Sequence, residues 1–181
     1  MTSIKGFADT ISWYDDNADA YASSVQKLSN IRLIEKFTDL LGKGAKVLDA
    51  GCAAGRDTRL FQERGLIASG LDLSKSLLVV ARKKYPDIEF VYGDFLNIPF
   101  KNAIFDGVWV HASLLHLETT DQVSKALSEF NRILKIDGVI HVYVKQQQGL
   151  DKTSIVTDSI SNHERFFQWF TKDEVRNLLS E

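Results

Sequence analysis

The chain has 181 residues, which at roughly 150 residues per domain suits a single domain with a core of ordinary size. Hydrophobic residues at 44% and charged residues at 25% exclude a disordered, fibrous or membrane-embedded chain. With 22 Lys and Arg against 24 Asp and Glu, the net charge of −2 supplies no positive field for nucleic acid or anionic lipid, so the expected partner is a small molecule, with no nucleic acid and no membrane. One cysteine, Cys52, can form neither an internal disulfide nor a multi-cysteine zinc site, and no metal is expected.

The first twenty residues carry Asp9, Asp15, Asp16 and Asp19 and no apolar core, which argues against a signal or transit peptide and for the cytoplasm. A helix is expected from about Asn30 to Leu41, burying Ile31, Ile34, Phe37, Leu40 and Leu41 before Gly42 and Gly44 break it. Strands are expected over Val47–Ala50, Ile67–Asp72, Ile88–Tyr92, Phe105–His111 and Val139–Lys145, with helical stretches between them. Val123, Ala126, Leu127, Phe130, Ile133 and Leu134 share one helical face, with Thr119 and Gln122 placed to form a capping box. Thr171 and Glu174 repeat that signal before Val175, Leu178 and Leu179. The longest apolar stretch, Val108 to Leu117, is interrupted by His111 and His116 and is far shorter than the roughly 20 residues of a membrane span. Alternating strands and helices predict an α/β, Rossmann-like three-layer sandwich, a mostly parallel sheet with helices on both faces and ligands at the carboxyl ends of the strands.

The strongest local signal runs from Val47 to Asp57, a hydrophobic strand entering a turn of small residues that opens a helix. Gly51 and Gly55 permit unusual backbone angles, and N–H groups at the helix start attract a polar ligand. The G-x-G-x-x-G fingerprint fails, because Ala53 and Arg56 stand where its second and third glycines belong. Asp49 would repel a pyrophosphate but suits a ligand carrying an ammonium and a carboxylate. Twenty-one residues after Gly51 the second strand ends in Asp72, followed by Leu73, where a carboxylate can accept both hydroxyls of a ribose. Another 22 residues on, Gly93-Asp94-Phe95 offers an acceptor for an exocyclic amine beside an apolar ring, as adenine requires. Each acid alone could equally cap a turn.

On these motifs the sequence resembles the class I S-adenosylmethionine-dependent methyltransferases, in particular the small bacterial proteins of generic methyltransferase-domain type, over nearly the whole chain. The resemblance implies S-adenosylmethionine as cofactor and methyl transfer by in-line displacement to a small-molecule acceptor. It assigns the methionine moiety to Asp49, Gly51, Cys52, Ala53, Gly55 and Arg56, the ribose to Asp72 and Leu73, and the adenine to Asp94 and Phe95. His111 and Ala112, ending the fourth strand, would touch the methionine part. Tyr14-Asp15-x-x-Ala18-x-x-Tyr21 is similar to the family's lead-in, which makes Tyr14 and Tyr21 lid residues; the alternative is that both pack a peripheral helix. Residues 1–44 then form lid helices, 45–145 the cofactor-binding core, and 146–181 a substrate-side loop and last helix.

The sequence also departs from the pattern. Ala53 replaces a glycine, which requires ordinary negative φ there. Leu134-Lys135-Ile136-Asp137-Gly138 replaces the commoner Leu-Lys-Pro-Gly-Gly turn. The two carboxyl-terminal strands that complete the family's sheet are expected to be missing, in which case the edge of Val139–Lys145 is exposed and could pair in a homodimer.

His111 and His116 are the candidate bases near the methyl group, each with a structural, hydrogen-bonded role as its alternative. Arg56 could reach a ligand carboxylate or pair with Asp57, and Cys52 reads as packing. Phe166, Phe167, Trp169 and Phe170 could line a substrate pocket or belong to the core. A nicotinamide oxidoreductase shares the architecture but not the fingerprint; a non-catalytic cofactor-binding or interaction protein derived from a shortened methyltransferase is the main alternative.

Overall fold

Five strands, β1 (Lys46–Ala50), β2 (Ile67–Asp72), β3 (Glu89–Tyr92), β4 (Phe105–His111) and β5 (Leu134–Tyr143), form one parallel sheet of order β3-β2-β1-β4-β5 in the computed structural model, which describes residues 6–26, 30–147, 149, 151–158 and 163–180. Side chains alternate across a strand, and the core divides accordingly. Leu48, Ala50, Leu71, Val108 and Val110 face α6 (Thr120–Ile133), where they meet Val123, Ala126, Phe130 and Ile133. Val47, Ala68 and Trp109 point the other way, against Ile34 and Phe37 of α3 (Ile31–Thr38) and Phe61 of α4 (Arg56–Glu63). On that same face α5 (Lys75–Lys84) sets Leu78 and Ala81 against Phe90. The result is the expected three-layer α/β sandwich, with its order reversing at β1 and β4, so that their carboxyl ends open into a crevice.

Both capping boxes form, Thr119 with Gln122 at α6 and Thr171 with Glu174 at α7 (Lys172–Leu178). The helix expected over 30–41 ends at Thr38; Leu40 and Leu41 continue in tighter turns toward Gly42. The last sheet strand begins at Leu134 rather than Val139, because the Leu134–Gly138 segment is a bulge inside β5, with Asp137 at φ 63° and the register shifting opposite Phe105 and Gly107. It ends at Tyr143 because β4 stops at His111, where Ala112 takes φ 56°.

Residues 146–181 were expected to hold a loop and a helix with the carboxyl-terminal strands missing, yet two strands stand there. β6 (Thr153–Asp158) and β7 (His163–Gln168) form an antiparallel pair, a second sheet beside the first. Phe167 and Phe170 enter the α6-side core, and Phe170 N–H donates to the Lys145 carbonyl at 3.2 Å while its own carbonyl accepts from Gln147 N–H at 3.0 Å. Over the crevice lie α1 (Phe7–Asp16) and α2 (Ala18–Val25), seated through Tyr14, Ala18 and Ala22 on Ala54 and Leu77. Among the described residues no helix is long and apolar enough to cross a membrane.

Candidate functional site

β1 leaves the sheet through Gly51 at φ 81°, a left-handed conformation that favours glycine, and a Cβ there would lie 2.3 Å from the Ser113 Cβ. Both the Gly51 and Cys52 N–H groups donate to the Leu71 carbonyl, at 2.8 and 3.1 Å, which ties the turn to the end of β2. Ala53 was expected at negative φ and instead takes φ 49°. The strain, about 1–2 kcal/mol for a residue with a Cβ, is tolerated because the Ala53 N–H donates to Asp72 Oδ2 at 2.8 Å and Gly55 N–H closes onto the Cys52 carbonyl at 2.9 Å. Gly55, at φ 78°, starts α4 and leaves room for the Phe90 ring, 2.5 Å from where its Cβ would be, so it shapes the turn without lining the cavity.

These elements surround a cavity of about 360 Å³ between the strand ends and helices α1 and α2, within the range of about 300–1,000 Å³ common for small-molecule sites. Asp49, Asp72 and Asp94, from three successive strand ends, all line it. Asp49 is 3% exposed and accepts from the Thr58 hydroxyl at 2.6 Å. Burial, and then the nearby Asp57 carboxylate, push its carboxyl up to about 8. Asp72 Oδ1 takes the Ser74 N–H at 2.8 Å, opposite the Ala53 N–H on Oδ2, and burial raises its carboxyl as well. A carboxylate offers about four acceptor positions, so these backbone donors do not saturate Asp72. Asp94 Oδ1 accepts from Leu96 N–H at 2.9 Å, and beside it Phe95 stands edge-on to Phe130 at 5.3 Å.

The other predicted residues separate by role. Tyr14, Tyr21, Cys52, Ala53, Arg56, Leu73, Phe95, His111, Ala112 and His116 line the same cavity. Arg56 pairs with Asp57 at 2.8 Å and donates to the Val25 carbonyl at 2.8 Å. Cys52 is buried and its thiol is pushed well up by that burial, as a packing residue would be. Tyr14 and Tyr21 meet edge to face at 4.9 Å, and α1 is fastened by Asp15, whose Oδ1 accepts from the Ser74 hydroxyl at 2.6 Å and Ser76 N–H at 2.9 Å. His116 is fully engaged: its Nδ1–H donates to the Phe166 carbonyl at 2.9 Å, so Nε2 accepts the Tyr14 hydroxyl at 3.2 Å, while the Arg165 guanidinium donates to that hydroxyl. His116 is therefore structural. Phe166, Phe167, Trp169 and Phe170 are core and hairpin residues outside the cavity wall.

Several cavity residues were not among the expected site residues. Asp57 is buried and accepts from Arg56, from Asn30 Nδ2 at 2.6 Å and from Trp109 Nε1 at 3.1 Å. Tyr143 and Lys145 arrive because β5 runs parallel to β4 with His111 opposite Tyr143; that register follows from sheet order, which lies outside the reach of spacing. Ser113 buttresses the Gly51 turn by donating to the Ala50 carbonyl at 2.8 Å.

Residues 48–142, more than half of the chain, match the model of the family described as "Methyltransferase domain". The malonyl-[acyl-carrier protein] O-methyltransferase of Enterobacter lignolyticus is 36% identical over 96 residues, 53% of this chain and 37% of that protein. Its counterpart from Salmonella typhimurium is 27% identical over 173 residues, 96% of this chain and 65% of that protein. The chain thus covers less than two thirds of the length of these curated relatives. Among solved structures, the 1,6-didemethyltoxoflavin-N1-methyltransferase of Burkholderia thailandensis, with 1,6-didemethyltoxoflavin and S-adenosylhomocysteine bound, has the same fold at a TM-score of 0.71, 23% identity and coverage of 99% of this chain and 80% of that one. With the match running from inside β1 nearly to the end of β5, across every strand whose carboxyl end meets the cavity, the chain belongs to the methyltransferase-domain family.

Proposed function

We propose that the cavity binds S-adenosylmethionine and that the chain transfers its methyl group to a small-molecule acceptor. The observation that carries this reading is the arrangement of Asp49, Asp72 and Asp94 along one cavity wall, beside a Gly51 turn in which Ser113 occupies the space of a Cβ. The residues present suit the group. Asp72, held through backbone N–H donors on both oxygens, would take the ribose hydroxyls, and Asp94 with Phe95 the adenine. Asp49 would face the ammonium, whose charge favours its ionised form, and Tyr14 and Tyr21 would cover the ligand from the lid. A bound sulfonium supplies an activated methyl group; the chain supplies orientation and exclusion of water. A reducing compartment such as the cytoplasm suits the buried free thiol of Cys52.

Calorimetric titration of the purified chain with S-adenosylmethionine and S-adenosylhomocysteine tests the reading. Both should bind with one site per chain, Asp72→Ala should weaken each at least tenfold, and a nicotinamide dinucleotide should give no heat of binding. A folded chain that binds neither adenosyl ligand sinks the reading.

A further inference from the structure

Side-chain alternation on two parallel strands in register brings four rings together at the top of the sheet. Trp109 and His111 of β4 stand opposite His141 and Tyr143 of β5, on the face turned toward α3. The rings lie nearly parallel: Trp109 on His141 at 3.8 Å and 15°, and His111 on Tyr143 at 4.5 Å and 16°. His111 Nδ1 and His141 Nε2 are 3.2 Å apart with the two rings inclined by only 12°, the geometry of an in-plane hydrogen bond. Beneath them the Asp57 carboxylate, paired with Arg56, accepts from Trp109 Nε1.

His111 also stands at a junction. It lines the cavity described above and, with Asn30 and Tyr143, an outer groove of about 660 Å³ whose far wall carries Ile31 and Leu33 of α3. Of the other cavity groups, both nitrogens of His116 are used, Asp57 accepts from three donors, and Asp49 accepts from Thr58. Among the described residues, His111 Nε2 makes no hydrogen bond.

We propose that His111 is the base of methyl transfer, that His141 is the positioning residue fixing its tautomer, and that the acceptor is a molecule entering from the α3 groove whose nucleophile is an O–H or N–H with a proton to lose. This rests on the methyltransferase reading of the cavity. Only one hydrogen atom fits between Nδ1 and Nε2. If His111 supplies it, His111 Nε2 keeps a lone pair; if His141 supplies it, His111 Nε2 is protonated and cannot act as a base. In the step itself, a lone pair of the acceptor oxygen or nitrogen forms the bond to the methyl carbon while the carbon–sulfur bond breaks, its pair remaining on sulfur. The acceptor proton passes to His111 Nε2, and solvent removes it afterwards. Two features fit a base at neutral pH. Burial holds His111 below the ordinary imidazole range and, together with His111, pushes His141 down to about 4, so both rings are neutral. The charged groups near the pair, Asp57 and Arg56, compensate each other, and Asp57 favours the imidazolium when it forms.

The test is ring-nitrogen spectroscopy on the full chain labelled with 15N-histidine at neutral pH, with S-adenosylhomocysteine binding measured in parallel. The expected result is His111 with Nδ1 protonated and Nε2 bare. His141→Phe, which keeps a ring on Trp109 but accepts no hydrogen bond, should move His111 toward the Nε2-protonated tautomer; His141→Gln, whose carbonyl can accept from Nδ1–H, should restore the wild-type signature. Both variants should bind S-adenosylhomocysteine within about twofold of wild type. His111 carrying its proton on Nε2 in the wild-type protein overturns the base, and with it the need for a protic acceptor. A His111 tautomer that is the same in wild type and both variants overturns the role of His141. Failure of the wild-type chain to bind S-adenosylhomocysteine would instead strike the methyltransferase reading, whatever the tautomer.

Discussion

Asp49 is a buried carboxyl, and its position follows from one strand's alternation: Leu48 and Ala50 face α6, so Asp49 must face α4, where Thr58 offers it a single hydroxyl. Burial pushes its carboxyl up to about 8 in the folded chain, from 3.8 for an ordinary Asp in the unfolded one. Between those values the folded state holds a proton that the unfolded state has released, so stability is fully present below about pH 4, falls as pH rises toward 8 and levels off above it, at a slope of up to about 1.4 kcal/mol per pH unit. Urea unfolding across that range should show the decline, and Asp49→Asn, which can still accept from Thr58, should flatten it. Glu129 acts in another window: the Arg132 guanidinium holds it down to about 2, so its contribution disappears only as pH falls below the ordinary carboxylate range. Ala53 gives a second test at this scale. Its φ of 49° is strained for any residue with a Cβ, while glycine costs about 0.5–1 kcal/mol of additional unfolded-state entropy. Ala53→Gly should therefore raise stability by up to about 1 kcal/mol in the same urea measurement, and a loss would mean that the loop is not strained.

At the scale of elements, the lid depends on a contact no local pattern announces. Tyr14 of α1 passes its hydroxyl hydrogen to His116 while Arg165 of β7 donates to the same oxygen, and the guanidinium lies 5.5 Å from the centres of both the Tyr14 and Tyr21 rings. Two buried polar groups thus meet at one hydroxyl. Tyr14→Phe should cost about 1–3 kcal/mol, felt first as faster amide exchange in α1 and α2, with β1 and β4 unchanged; equal acceleration throughout would place Tyr14 in the global core instead. The strands of the main sheet were readable from their apolar runs, and the capping boxes of α6 and α7 from four residues each. The β6–β7 pair was not, because Phe166 and Phe167 are both buried, which breaks the alternation that marks a strand. The turn after β1 was readable for the opposite reason: Asp49, Gly51 and Gly55 lie within one stretch of chain. Asn30, Tyr143 and Lys145 reach the same cavity only through sheet order and helix packing.

For the whole molecule, the question is whether the second sheet is an appendage or part of one cooperative unit. The residue that decides it is Phe167, 2% exposed, which joins Phe170 of the adjoining segment to Leu48, Val108 and Val110 in one cluster. Its ring also lies tilted against His116 at 5.3 Å and under the Lys145 ammonium at 4.0 Å, so the same side chain touches the core, the Tyr14–His116 contact and the cavity wall. A side chain shared in this way couples the unfolding of everything it touches, because losing the hairpin would uncover the α6-side core and release His116 from the Phe166 carbonyl. Native-state hydrogen exchange should accordingly give the amides of β7 nearly the same opening free energy as those of β4. Phe167→Ala, an internal truncation costing about 3–5 kcal/mol, should lower both together and keep a single unfolding transition. If β7 amides exchanged through a low-energy opening while β4 stayed protected, the hairpin would be a separately folding flap.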